Sequence, residues 1–210
     1  MKHAIQAARW GAVLAAGLFL ARPGVCAEAK KTRTVKLNLE QSVLRWTGKK
    51  LTGAHTGSLR LKSGQVVLAG NDLVDGDFEI DMDSIKDEDL TNSGANAKLV
   101  GHLKSADFFD VAQHPSAKFK IRKVAPLPAL KADSPTHQIT GDLTIKGITK
   151  EVAFPATVRI GGGKAEARGA VTLDRTQWDI RFRSGKFYKD VGDKIIYDEI
   201  RVELNLTAAL

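Results

Sequence analysis

The sequence predicts an all-β fold, an antiparallel sandwich or barrel, and three observations carry that reading. Apolar residues recur at every second position along about nine segments, the period of half-buried strands. Glycine-bearing turn signals separate these segments at the short spacings typical of sandwiches and barrels. The chain holds 19 glycines but only 6% aromatic residues, a balance that suits short strands and tight turns better than a helical bundle. Its 210 residues point to one domain. With 43% hydrophobic and 27% charged residues, it is neither a disordered tail nor a multi-span membrane protein.

Residues 1–27 read as a secretory signal peptide. Lys2 and Arg9 precede an apolar run over residues 10–21, shorter than the roughly 20 residues a spanning helix needs. Arg22, Pro23 and Gly24 break the run, and Val25 and Ala27 stand at the −3 and −1 positions of a cleavage site. Lipid attachment at Cys26 is a minor alternative. Cleavage after Ala27 removes the single cysteine and lowers the formal net charge from +8 to +5. The remaining domain, residues 28–210, must then hold together through its core alone. Its expected setting is periplasmic or secreted. The dispersed basic excess suits anionic lipid head groups or simply a solvated surface.

The strands follow in order. Val35, Leu37 and Leu39 form the first stripe, Leu44 and Trp46 the second, Leu59 and Leu61 the third. Phe78, Ile80 and Met82 alternate with Asp77, Glu79, Asp81 and Asp83 in a clearly two-faced strand. Ala117, Phe119 and Ile121 come next, then Ile139, Gly141, Leu143 and Ile145. Val152, Phe154, Ala156, Val158 and Ile160 lead to Ala167, Gly169, Val171 and Leu173, and Ile196, Ile200, Val202, Leu204 and Leu206 close the series. Turns are expected at Ser63-Gly64, Asp75-Gly76, Lys146-Gly147, residues 161–163 and residues 191–193, with an extended loop over 127–135. Residues 92–106 break the period. Ala95, Leu99, His102, Leu103 and Ala106 share one helical stripe, which predicts a short α-helix plugging or flanking an open end of the sheet.

Several stretches resemble the YceI-like family. They are LKSADFFDV at 103–111 with HPSAKF at 114–119, ITGDLTIKGITK at 139–150, DFEIDMDS at 77–84, and VGDK at 191–194 with VEL at 202–204. Together they cover roughly residues 34–208. The resemblance implies a lipocalin-like antiparallel β-barrel of about eight strands, exported to the periplasm, that binds an isoprenoid or fatty amphiphile in its interior. A barrel of that size is filled by its own side chains or holds one slender ligand. Strand alternation then nominates Leu44, Trp46, Phe78, Ile80, Phe119, Ile121, Leu143, Phe154, Val158, Trp178, Ile180 and Phe182 as wall residues. Phe108 and Phe109 are candidates to cover an opening, and Arg175 and Arg181 to meet an anionic head group. The same inward rings serve equally well as ordinary core.

Competing chemistry finds little support. His55, His102, His114 and His137 show no paired ligand spacing, so no metal is expected, although a set assembled across strands stays open. The nine acids from Asp72 to Asp89 lack the alternation of a calcium loop and read as the outward face of a strand and its following loop. No nucleophile elbow, phosphate loop or dinucleotide fingerprint is present, so no catalytic residues and no cofactor are expected. Export makes a nucleic-acid partner improbable. Barrels of this kind often pair, so a homodimer stays open, though no large apolar stripe demands one. The expected function is non-covalent carriage, storage or protection of a lipid. The rivals are a stress-related interaction module with a filled barrel and an enzyme acting on a captured lipid.

Overall fold

Side chains that alternate between apolar and polar make each strand two-faced, and the sheet buries its apolar face by closing on itself. A computed structural model describes residues 30–128, 131, 134–189 and 192–210. The expected signal peptide at 1–27 lies outside them, as do Val191 of one expected turn and residues 129, 130, 132 and 133 of the expected loop.

The strands are β1 (Thr32–Lys36), β2 (Val43–Lys50), β3 (Gly53–Ala69), β4 (Asp72–Asp87), β5 (Ser116–Pro126), β6 (His137–Ile145), β7 (Ile148–Gly161), β8 (Lys164–Asp174) and β9 (Ile196–Ala209). The sheet runs β3-β2-β9-β8-β7-β6-β5-β4, every pairing antiparallel, and β4 pairs back with β3. This closes an eight-stranded barrel. The ninth strand is no extra stave. β2 pairs with residues 53–60 of β3 and β1 with residues 65–69, so the two short strands form one interrupted stave along one long partner.

Asn38 makes the interruption. Its side-chain oxygen accepts from the Glu40 and Gln41 amides at 3.1 Å each, a local turn that competes with strand pairing. Leu39 therefore falls in the turn and is exposed, contrary to its place in the first stripe.

Two expected turns also prove wrong. Ser63-Gly64 and Asp75-Gly76 lie inside β3 and β4, which are 17 and 16 residues long and bend where their mutual register shifts. Glycine in a strand interior often marks a bulge or bend rather than a turn. The hairpin between them turns at Gly70-Asn71, where Gly70 takes φ +65°. Lys146-Gly147 does turn as expected, with φ of 49° and 74°, the pair of positive values a two-residue hairpin of type I′ requires.

The helix α1 (Ser93–Lys104) joins β4 to β5 at one end of the barrel. Asn92 caps it by accepting from the Ala95 amide at 2.9 Å. Its buried stripe is narrower than the sequence suggests: Leu103 is buried and Leu99 and His102 half-buried, but Ala95 and Ala106 are exposed. The polar outer face of the barrel carries cross-strand ion pairs such as Lys62–Glu79, Lys120–Asp75 and Arg122–Asp142. These exposed pairs add little stability individually.

One close approach shapes the interior. Trp46 lies across β3 at Gly57, its Cα partner, and its indole N–H donates to the Lys86 carbonyl at 3.1 Å. A Cβ at Gly57 would run into that carbonyl and stand 2.7 Å from the indole ring. Gly57→Ala is therefore expected to cost about 1–3 kcal/mol through overpacking. Urea unfolding checks this, and an unchanged midpoint would show that the indole can move aside.

Candidate functional site

At the end of the barrel that carries α1, the side chains do not meet in the middle. They leave a cavity of about 190 Å³. This exceeds the roughly 150 Å³ apolar cavity that stays dry in water and takes up benzene. The opposite end is closed by Leu37, Leu61, Leu68, Ile139, Ala156 and Ala208, all buried and none of them lining the cavity.

The wall comes from every stave. Leu44 and Trp46 on β2, Phe78 and Ile80 on β4, Phe119 on β5, Leu143 on β6 and Phe154 on β7 all face the cavity. Phe119 stands in a row of rings, with centroids 5.2 Å from Phe78 and 5.8 Å from Phe154. Phe108 and Phe109, which follow α1, line the cavity too, as do Trp178 and Ile180, which follow β8. Trp178 is only 1% exposed, and its indole N–H donates to the Leu143 carbonyl at 3.2 Å, which fixes the ring.

Three nominated wall residues do not reach the cavity. Ile121 precedes a register shift in β5 and packs at the filled end beside Gly76 and Val66. Val158 lies in the same filled half, paired with Ala167. Phe182 stands behind Phe108, at 5.6 Å between centroids, and against His102 at 4.6 Å. For Ile121 and Val158, strand parity places a side chain inside the barrel but not at a given height along it, whereas residues 175–182 form a 3-10 turn and a loop rather than the expected strand, so alternation does not govern Trp178, Ile180 or Phe182.

Other residues line the cavity without having been singled out. Val171, Val202 and Leu204 were legible as inward stripes. Ile85 was not, because it sits at odd parity after the even Phe78, Ile80 and Met82. The pairing explains it: Ser58 lies opposite Lys86 but Arg60 opposite Asp81, so β4 bulges over residues 82–85 and its faces exchange. The Ser84 hydroxyl anchors the bulge by donating to the Asp81 carbonyl and accepting from the Arg60 amide.

The cavity reaches the surface where exposed Lys49, Lys50 and Tyr197 and half-buried His55 line it. Beside His55, two carboxylates meet. Asp89 Oδ2 lies 3.0 Å and Asp87 Oδ2 3.9 Å from His55 Nδ1. The bulge turns Asp87 inward, so its carboxylate belongs to the interior rather than to the outward acidic face expected for it. Burial pushes the Asp87 carboxyl above the ordinary range, assisted by Asp89. Burial opposes the shift of Asp89, but the Thr56 amide and His55 hold it below the ordinary range.

Arg175 and Arg181 have partners within this chain. Arg175 is 2% exposed and lines the cavity. Its guanidinium donates to the carbonyls of Ile180 (2.9 Å), Ile196 (3.0 Å) and Tyr197 (3.2 Å) and pairs with Asp198 at 3.3 Å. Burial lowers its pKa, and Asp198 and Asp174 work against that shift. Arg175 thereby ties the segment after β8 to the start of β9. Arg181 is exposed, pairs with Asp179 at 2.7 Å, lies over the Phe187 ring at 4.7 Å and does not line the cavity.

The sequence profile of the YceI-like domain matches residues 35–208. A UPF0312 protein of Vibrio parahaemolyticus is 31% identical over 129 residues, 55% of this chain and 66% of that protein. A UPF0312 protein of Pseudomonas aeruginosa is 32% identical over 130 residues, 56% of this chain and 65% of that protein. The matches thus span just under two thirds of the length of these curated relatives. Among solved structures, Burkholderia cenocepacia BcnA is similar with a TM-score of 0.63 at 25% identity, over 82% of this chain and 99% of BcnA. A structure described as a polyisoprenoid binding domain from Saccharophagus degradans is similar with a TM-score of 0.56 at 12% identity, over 85% of this chain and 99% of that domain. At that identity the likeness is one of fold.

Two expectations follow from the Arg175 segment. Arg175→Met leaves Asp198 without its buried partner and three carbonyls without a donor, and should lower stability by about 3 kcal/mol in thermal or urea unfolding. Asp174 titrates in the opposite direction to Asp87. Burial opposes the shift, but the Lys186 ammonium at 2.6 Å and the Thr176 hydroxyl and amide hold its carboxyl below the ordinary range. Its contribution is complete above the unfolded value near 3.9 and disappears as pH falls through the lower native value. Melting temperatures of Asp174→Asn should accordingly fall less than those of the parent between about pH 4 and pH 2.

Proposed function

The chain belongs to the YceI-like family, and we propose that its barrel holds the tail of an isoprenoid or fatty amphiphile non-covalently, as a carrier, store or shield for that lipid. The single observation that carries this reading is the apolar cavity, walled by Phe119, Phe154, Trp178 and Ile180 and open beside Lys49 and Lys50. The Saccharophagus domain, described as polyisoprenoid binding, shares the fold and supports the same ligand class.

The physics of the site suits a slender hydrocarbon. Each methylene moved from water into an apolar wall contributes about 0.8 kcal/mol, so about ten of them contribute a gross 8 kcal/mol, the scale of micromolar binding. Rings fixed by packing and by the Trp178 hydrogen bond need little rearrangement to accept the chain, which keeps the ordering cost low. A polar head group would remain at the mouth, where Lys49 and Lys50 supply positive charge. Arg175 is engaged by its own chain, so the head-group contact moves from the two arginines to these two lysines. Among the described residues no helix is long and apolar enough to cross a membrane. The reading includes export through the amino-terminal segment 1–27, which places the barrel where it meets membrane lipids from the outside.

Mass spectrometry of an organic extract of purified protein tests the reading. A long-chain species near one per chain is the expected result. Protein that arrives empty and takes up no prenyl or acyl probe would refute it and favour a barrel closed to ligands. Val171→Phe, which adds a ring at the cavity wall, should reduce uptake at least tenfold while leaving the far-ultraviolet circular dichroism unchanged. Phe119→Asp should also abolish uptake, read only where circular dichroism shows a folded barrel, because a buried charge can unfold the core.

A further inference from the structure

We infer that His55, Asp87 and Asp89 form a binding site for a divalent first-row transition cation of the zinc or manganese type, at the rim of the cavity where β3 and β4 meet α1. Three ligand atoms, His55 Nδ1 and one oxygen of each carboxylate, lie within 4.8 Å of one another. Metal–ligand bonds of about 2.0–2.2 Å place neighbouring donors roughly 3 to 4 Å apart, and His55 Nδ1 already stands 3.0 Å and 3.9 Å from the two carboxylate oxygens.

A second observation points to a ligand. Oδ2 of Asp87 is buried and has no hydrogen-bond partner among the described residues, and its side chain is 0% exposed. An unsatisfied buried carboxylate oxygen is costly. Among the described residues Asp198 Oδ1 also lacks a hydrogen bond but faces the Arg175 guanidinium at 3.3 Å, whereas the Asp87 oxygen has an imidazole nitrogen 3.9 Å away, beyond hydrogen-bond reach. Among the described ion pairs, only His55 approaches Asp87 and Asp89, and the nearby Arg45 is held by Glu88 at 2.7 Å.

The surroundings hold the donors in place. The far oxygen of Asp87 accepts from the Leu90 amide at 2.9 Å and from the Asn96 side chain at 3.1 Å. The far oxygen of Asp89 accepts from the Thr56 amide at 2.6 Å. Both carboxylates are thus anchored through one oxygen and present the other to His55, the arrangement by which outer hydrogen bonds orient metal ligands. Imidazole with two carboxylates suits zinc or manganese, whereas calcium prefers six to eight oxygens. Three protein donors also leave a coordination position for water or another small oxygen ligand.

A proton is the competing occupant: His55 Nδ1 already shares a hydrogen bond with Asp89 Oδ2 at 3.0 Å, and a metal ion would take that proton's place. Tag-free protein, stripped with a chelator and dialysed, is titrated with zinc chloride at neutral pH by calorimetry and thermal unfolding. The expected result is one zinc per chain with a dissociation constant in the micromolar range or tighter, and a rise in Tm that chelator reverses. His55→Gln, Asp89→Asn and Asp87→Asn should each weaken binding at least tenfold. Asp87→Asn places an amide where the orphaned oxygen stands, so in the absence of zinc it should melt no lower than the parent, which separates loss of the site from loss of the fold. Absence of saturable zinc binding, or binding undiminished in all three variants, would overturn the proposal. Lipid uptake is measured separately and does not bear on the result.

Discussion

Pairing between β3 and β4 turns a meander with two free edges into a closed barrel, and that closure supports every other feature of the molecule. An open antiparallel sheet leaves unpaired amides along both edges and needs a second layer to bury its apolar face. Closure removes the edges and makes the sheet its own second layer. β3 and β4 can close it because they are the longest strands and bend at bulges, one of which reverses the facing of β4 after Met82. That reversal sends Ile85 into the cavity wall and Asp87 into the interior.

Closure alone does not create a binding site, since a barrel of eight strands can be packed solid. The two ends of this one differ. At the far end leucines and alanines meet across the axis and fill the space. At the α1 end rings stand around the space, and the helix and the segment after β8 roof it with Phe108, Phe109, Trp178 and Ile180. Arg175 makes that roof part of the fold by binding three backbone carbonyls from two separate segments. The buried polar groups of the barrel thus divide in two. Arg175 is satisfied by carbonyls and by the Asp198 carboxylate and holds structure, whereas one oxygen of Asp87 has no countercharge of that kind among the described residues and faces an imidazole nitrogen and a second carboxylate.

The strands were legible because period-two alternation follows from the geometry of an extended backbone and needs no knowledge of what lies across from it. The helix and the Lys146-Gly147 turn were legible for the same local reason. Glycine was the ambiguous signal. Gly64 and Gly76 look like turn residues, yet they serve bends within long strands, and only the partner strand distinguishes the two uses. Most nominated wall residues do face the cavity, but Ile121, Val158 and Phe182 do not. For the two on strands, parity selects the face, whereas the height at which packing stops depends on the sizes of side chains brought in from seven other staves; Phe182 lies in a loop, where parity does not apply.

His55, Asp87 and Asp89 show the limit most clearly. Thirty-two positions separate His55 from Asp87, and no ligand spacing connects them. Register pairs Gly57 with Asp87, and the bulge in β4 decides that Asp87 faces inward. The all-β class, the order of strands, the helix and the family resemblance could be read from local pattern, because alternation and turn chemistry act over a few neighbouring residues. Which end of the barrel is empty, that Arg175 is a tie rather than a free cation, and that an imidazole and two carboxylates converge emerge from the folded barrel alone. Those outcomes depend on register, bulges and closure, which are set by contacts between residues far apart in the chain.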